Sequence, residues 1–155
     1  MKRIILDQLD IDIIRLLQED ATYSTKEIAF KLKKVNTTII TRLSKLKKDG
    51  IILKNVAVID RRKFDDLLIA FTHVQVNSHS ANSLIAFQEK VQLFTEVVEC
   101  YHMTGAFDFL LKIVVRDMAG YNNFLVHKLA HLPNIGALQS YFVIHETKRE
   151  VAYPI

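Results

Sequence analysis

The apolar residues of this chain keep mainly helical spacing up to about residue 50 and mix strand and helical spacing beyond residue 66, and that change restricts the folds open to it. Before it, Leu9, Ile13, Leu16 and Leu17 recur at i, i+4, i+7, i+8, the spacing of one buried helix face. After it, residues 67–76 alternate as a half-buried strand does, and residues 96–104, 107–115 and 138–145 are strand-like too. Between the two regimes, Arg61-Arg62-Lys63-Phe64-Asp65-Asp66 is charged and without period. For 155 residues this predicts two small domains, 1–60 and 67–155, joined by a linker over 61–66.

Charge divides at the same place. Residues 1–62 hold fourteen Lys and Arg against eight Asp and Glu, a net +6, whereas residues 63–155 carry a net −2. Eight of those bases lie in 31–54, where Asp49 is the one acid. Such a concentration attracts polyanions, although a solvated basic helix face gives the same composition. Where the bases fall on the helices decides between the two.

Asp7 is placed to cap the first helix, and Ser24-Thr25-Lys26-Glu27 is a capping box that opens a second with Ile28 and Leu32 on one side. Lys33-Lys34-Val35 then makes a tight turn, and Asn36 is the expected N-cap of a third helix ended by Asp49-Gly50. At 100° per residue, Ile39, Ile40, Leu43 and Leu46 of that helix cluster on one side. Thr38, Thr41, Lys45 and Lys48 lie opposite, with Arg42 at the flank. Residues 51–53 and 56–59 are expected to pair as a small two-stranded wing around Lys54-Asn55. Two short helices about a tight turn, the second turning Thr, Arg and Lys outward, make a helix-turn-helix. Asn36, Thr37, Thr38, Thr41, Arg42, Lys45 and Lys48 are the expected contacts to double-stranded DNA, hydroxyls and cations meeting phosphates and base edges. No aromatic residue interleaves with the bases to stack on unpaired nucleotides, which favours DNA over RNA.

In the second domain, 80–92 and 118–132 have helical spacing, so the order is β-α-β-β-α-β: an α+β, ferredoxin-like antiparallel sheet with both helices on one face. The other face has apolar side chains and no helix to cover it, and a second copy of the chain is the simplest cover. A homodimer would then present two recognition helices to half-sites about 34 Å apart, or a multiple of that.

Other chemistry is set aside. Four glycines, no two closer than fifteen residues, exclude a Gly-rich phosphate loop, and the single Cys100, expected as a small buried strand residue, excludes an intrachain disulfide and Cys-rich metal sites. His127 and His131 sit four apart on one helix but lack a third ligand at metal spacing, so no metal and no cofactor is expected. Asp65-Asp66 and Asp108 form no acid/base pair. No apolar run is long enough to cross a bilayer, and the opening residues turn acidic before a signal-peptide core could form. A cytoplasmic, nucleoid-associated protein is the expectation.

Short segments spread over 9–148 carry a family resemblance. In the first domain they are Leu9-Asp10-Ile11-Asp12-Ile13-Ile14, Glu27-Ile28-Ala29, Arg42-Leu43-Ser44-Lys45-Leu46 and Gly50-Ile51-Ile52. In the second they are Glu99-Cys100, Thr104-Gly105, Phe107-Asp108, Leu110-Leu111-Lys112, Asp117-Met118 with Tyr121 and Phe124, and Leu132-Pro133-Asn134-Ile135. In order and spacing the chain resembles the Lrp/AsnC family, the feast/famine regulators. The resemblance implies a winged helix-turn-helix transcription regulator with an effector-binding domain, dimeric and often octameric, that senses an amino acid. Lys34 stands where the family commonly has glycine, and Lys47 where an acidic residue usually follows Leu46.

The resemblance also places the effector at a junction between dimers, near the turn between the second and third strands of the second domain. Thr104, Gly105, Phe107 and Asp108 are the candidates there, with Gln139 and Ser140 on the last strand. Asp108 is expected to pair with the ammonium of an amino acid, while Gly105 lets backbone amides approach its carboxylate. A second resemblance, to sirohaem decarboxylases on the same two-domain plan, would instead employ His73, His102 and His145; the basic third helix argues against it. A third reading is nucleoid packing with little sequence preference.

Overall fold

A computed structural model describes residues 4–60, Lys63 and 67–155. Two compact units divide the chain: Met1–Val58 together with Lys148–Ile155, and Ile59–Thr147. Residues 148–155, expected in the second domain, therefore belong to the first unit. Of the expected linker only Lys63 is described; 61, 62 and 64–66 lie outside the described residues.

Three helices build the first unit: α1 (Gln8–Glu19), α2 (Thr25–Lys31) and α3 (Asn36–Lys48). Their apolar stripes meet in one core in which Ile13, Ile28 and Ile39 are fully buried and Ala29 and Leu46 nearly so. Burial of each large side chain stabilises the fold by about 1.5–3 kcal/mol. The sequence signals for the helix starts are realised: Asp7 and Asp10 form a capping box on α1, and Ser24 and Glu27 form one on α2.

Both helix ends around α3 use one chain reversal. Gly50, at φ +72°, donates to the Lys47 carbonyl while Ile51 donates to that of Leu46, a Schellman stop. At the end of α2, Lys33 donates to Phe30 and Lys34 to Ala29, the same pattern, with Lys33 at φ +52°. The left-handed position in the turn is thus Lys33, not Lys34, and a lysine carries a Cβ into a region glycine enters freely.

Three expectations for this unit are corrected. Val35, not Asn36, is the N-cap of α3, and Asn36 is the helix's first residue. Ile40 is 45% exposed, because the core narrows to Ile39, Leu43 and Leu46. The wing's strand pair does not form: residues 53–60 have no strand structure, and Leu53 is 86% exposed. Leu53, Val56, Val58 and Ile59 have no described partner surface, and a lone two-stranded ribbon is at best marginal in water.

The second unit runs β1 (Leu68–Val76), α4 (Ala81–Val91), β2 (Val97–His102), β3 (Phe109–Val115), α5 (Met118–Phe124), a π-helical turn (Leu125–Leu129) and β4 (Ile135–Phe142). All ladders are antiparallel, in the order β2-β3-β1-β4. One face buries Ala70, Val74, Phe109, Leu111 and Ile113 under Phe87 and Val91 of α4 and Tyr121 and Phe124 of α5. The βαββαβ plan is the expected one; two details differ. The helix over 118–132 passes into a π-turn at Leu125, so His127 and His131 do not share a regular i, i+4 face. The last strand begins at Ile135 rather than Leu138. Cys100 lies on β2 at the sheet edge and is exposed, not buried.

On the opposite face, residues in register form two rows. Tyr101, Leu110, His73 and Gln139 make one, and Glu99, Lys112, Phe71 and Tyr141 the other. Lys112 Nζ donates to Glu99 Oε1 at 2.8 Å, and the Tyr101 hydroxyl donates to Glu99 Oε2 at 2.7 Å. None of the described helices covers these rows, and Tyr101 and Tyr141 are each about half exposed.

Candidate nucleic-acid interface and effector loop

The exposed side of α3 carries Thr37, Thr38, Thr41, Ser44, Lys45 and Lys48. Asp7, Ser24, Ser80 and Asp117 cap α1, α2, α4 and α5 through their side chains, whereas Val35 gives α3 none and no acid stands in its first turn. Among the described residues, therefore, neither a side-chain cap nor a first-turn acid offsets the positive end of the α3 dipole, a condition under which a helix start receives a phosphate. Thr41, itself exposed, donates its hydroxyl back to the Thr37 carbonyl at 3.0 Å. Among the described residues no carboxylate lies within ion-pairing distance of Lys45, Lys47 or Lys48. Asn36 is half-buried, with Oδ1 enclosed and without a hydrogen-bond partner among the described residues.

Arg42 is held differently from the lysines. Its guanidinium donates to Asp7 Oδ2 and, at 3.1 Å, to Asp10 Oδ1. Bonding to Asp7 and then Asp10 raises its pKa above the ordinary value, and the Asp10 amide followed by Arg42 lowers that of Asp7. Arg42 thus closes a three-residue clamp between α3 and the start of α1. The position of Arg42 in the first unit was legible in the sequence, but its two acidic partners, 35 and 32 residues earlier, were not.

In the second unit the candidate effector residues separate. Thr104 and Gly105 are exposed in the β2–β3 turn, where Gly105 has φ +123°, a conformation only glycine adopts without strain. Asp108 does not stand free for an ammonium. Its Oδ2 accepts from the Val76 amide at 2.8 Å and its Oδ1 lies 2.8 Å from His79 Nε2, so it fastens the end of β1. Ser140 faces the helices, where its hydroxyl bonds that of Tyr121 and lies 3.2 Å from Thr72 Oγ1; Tyr121 and Thr72 are themselves 2.9 Å apart. That hydroxyl trio satisfies buried polar groups beneath the sheet.

Phe107 and Gln139 come together on the open face, around a residue the effector reading overlooked. His73 packs against Phe107 at 5.2 Å and Tyr141 at 5.7 Å between ring centroids, and Gln139 is its register partner on β4. His73 Nδ1 is enclosed with no partner among the described residues. The three histidines of the decarboxylase reading do not converge: His73 faces the open side, His102 stacks on Phe109 on the helix side, and His145 lies beyond β4. No group of three potential metal ligands occurs among the described residues.

Comparison with known proteins bears on this arrangement. Residues 69–153 match the model of the Lrp/AsnC ligand binding domain, and residues 6–52 match that of a winged helix-turn-helix DNA-binding domain. The chain belongs to the Lrp/AsnC family. It is 33% identical to the transcriptional regulator AzlB of Bacillus subtilis, over 98% of this chain and 97% of that protein. The crystal structure of an AsnC family transcriptional regulator from Agrobacterium tumefaciens is 36% identical, with a TM-score of 0.87 over 96% of this chain and 97% of that one. The transcriptional regulator NMB0573 from Neisseria meningitidis, solved in complex with L-Met, is 27% identical, with a TM-score of 0.87 over 97% of each chain. An Lrp/AsnC chain is a DNA-binding transcriptional regulator with a ligand-binding domain, not an enzyme. No described helix is long and apolar enough to cross a membrane.

Proposed function

We propose that this Lrp/AsnC regulator reads double-stranded DNA with α3, works as a homodimer closed over the open sheet face and further assembled into octamers, and answers to an amino acid. The observation that carries the DNA reading is α3 itself: uncapped, acid-free in its first turn, and bearing exposed Thr37, Thr38, Thr41, Lys45 and Lys48. The threonines address base edges, the lysines phosphates, and Asn36 the backbone beside the helix start. Arg42 contributes by holding α3 on α1. A regulator of this kind acts on the chromosome, and so in the cytoplasm.

For the effector, the amino-acid complex of NMB0573 supports an amino acid of the methionine type. Phe107, His73 and Tyr141 offer an apolar surface with a polar nitrogen inside it, and Gln139 stands beside them. Thr104 and Gly105 present the turn's backbone to the ligand's carboxylate. Asp108 and Ser140 serve the site by fixing its frame. Fluorescence anisotropy on duplexes selected from a random pool tests the DNA reading: Lys45→Ala and Lys48→Ala should each lower the salt slope of binding by roughly one. Unchanged slopes would remove α3 from the interface. Calorimetric titration with L-methionine tests the effector, with Phe107→Ala expected to abolish its heat.

A further inference from the structure

Residues 148–155 follow the ligand-binding unit in the chain, yet they belong to the DNA-reading unit. They run beside α1 without secondary structure of their own, and the Ile155 amide donates to the Tyr153 carbonyl at 3.0 Å, a γ-turn around Pro154. Gln18 holds them through both polar atoms of its amide: Oε1 accepts from the Tyr153 amide at 2.6 Å, and Nε2 donates to the Tyr153 carbonyl at 3.2 Å. Arg15 Nε donates to the Ile155 carbonyl oxygen at 2.6 Å.

The spacings match. Arg15 and Gln18 are three apart, so they share one side of α1, with about 5–6 Å between neighbouring side chains. Tyr153 and Ile155 are the two ends of the γ-turn around Pro154, a three-residue reversal that brings both within reach of that side. The intervening Pro154 holds φ near about −65°, close to what the centre of an inverse γ-turn needs, so the segment is shaped for the contact before it docks. All three bonds read backbone, while the Tyr153 ring stays exposed.

The same helix grips α3 from its other end, through Asp7 and Asp10 on Arg42. We propose that residues 148–155 are a strap that docks on α1 through Gln18 and Arg15 and so holds α1, and through Arg42 the reading helix α3, in the arrangement that meets DNA. Because the strap is rooted at Thr147, it gives the ligand-binding unit a covalent route to α3 besides the one entering at Ile59. This rests on the DNA-binding reading above.

Gln18→Ala in the full chain tests it, with exchange of the Tyr153 amide and affinity for the selected duplex measured together. The expected result is loss of protection at Tyr153 and a roughly 2- to 30-fold weaker Kd. The salt slope should stay at its wild-type value, since no cation is removed. Gln18→Glu keeps the acceptor and loses the donor, and should fall between the two. Thermal unfolding of each variant confirms that the helices remain folded.

Two results overturn the strap: a freely exchanging Tyr153 amide in the wild type, or an unprotected Tyr153 in Gln18→Ala with wild-type affinity for DNA. Failure of the wild type to bind any duplex while Tyr153 stays protected is a different outcome. It removes the DNA-binding reading, and the strap's role with it.

Discussion

Arg42 of α3 donates to Asp10 Oδ1 at 3.1 Å, and the side chain of Asp10 is only 3% exposed. Asp10 also accepts from the Asp7 amide, at 3.3 Å, so one carboxylate closes the capping box of α1 and receives the cation of α3. The start of the first helix and the middle of the third are thereby fixed to each other, and the lysines of α3 project from a braced support.

Removing the cation should unfold the unit before it affects any contact with DNA. Arg42→Ala leaves a buried carboxylate without its counter-charge, which is more harmful than loss of a surface pair. Thermal unfolding followed by circular dichroism should fall by several degrees in Arg42→Ala, and not at all in Lys45→Ala. A variant Arg42→Ala that melts like the wild type would show that the clamp contributes nothing to the fold.

Lys33 invites the opposite change. Its backbone is left-handed at φ +52°, where a Cβ costs energy that glycine does not incur. Part of that gain is offset because glycine frees the unfolded chain. Lys33→Gly should therefore stabilise the first unit by about 0.5–1 kcal/mol in urea unfolding. A loss of stability would mean that the lysine side chain makes a contact worth more than the backbone strain.

The fold was legible wherever local chemistry decided it. Ser24 and Glu27, Asp49 and Gly50, and the alternation through β1 and β3 each specify a conformation from neighbouring residues alone. Legibility failed where partners lie far apart in the chain. Nothing near Arg42 marks it as belonging to Asp7 and Asp10, nothing near Asp108 announces Val76 and His79, and nothing near Gln18 points to Tyr153. Helical and strand periods place a side chain on a face but do not say which atom waits there. The wing's strand pairing is missing for another reason, since its apolar residues find no partner surface among the described residues.

The caps also set an acid limit. The bonds of Asp7 to the Asp10 amide and to Arg42, and of Glu27 to the Ser24 hydroxyl and amide, lower both carboxyls below their ordinary values of 3.8 and 4.5. Groups lowered on folding stabilise the fold fully above the unfolded values and lose that contribution as pH falls through the folded ones. Stability of the helical unit should be level near neutrality with respect to these groups and decline as pH drops below about 4.5. Ser24→Ala, which breaks the Glu27 box, should cost about 1 kcal/mol at neutral pH and flatten part of the acid decline. Equal acid dependence in variant and wild type would separate Glu27 from the effect.

The two faces of the sheet should respond in opposite ways to substitution. Leu110 lies in the open row with Tyr101, His73 and Gln139, and Tyr121 lies beneath the other face in the trio with Thr72 and Ser140. If a second copy covers the open rows, Leu110→Asp places an unpaired charge against apolar surface and should disperse the assembly to particles near 17.9 kDa in sedimentation equilibrium. The isolated unit should keep its helices, because the core on the other side is untouched. Tyr121→Phe does the reverse: it leaves the Thr72 and Ser140 hydroxyls to each other and costs about 1–2 kcal/mol in unfolding, without altering the assembled mass. The pair distinguishes a covering partner from a merely exposed face, since a chain that sediments near 17.9 kDa before any substitution has no partner on those rows.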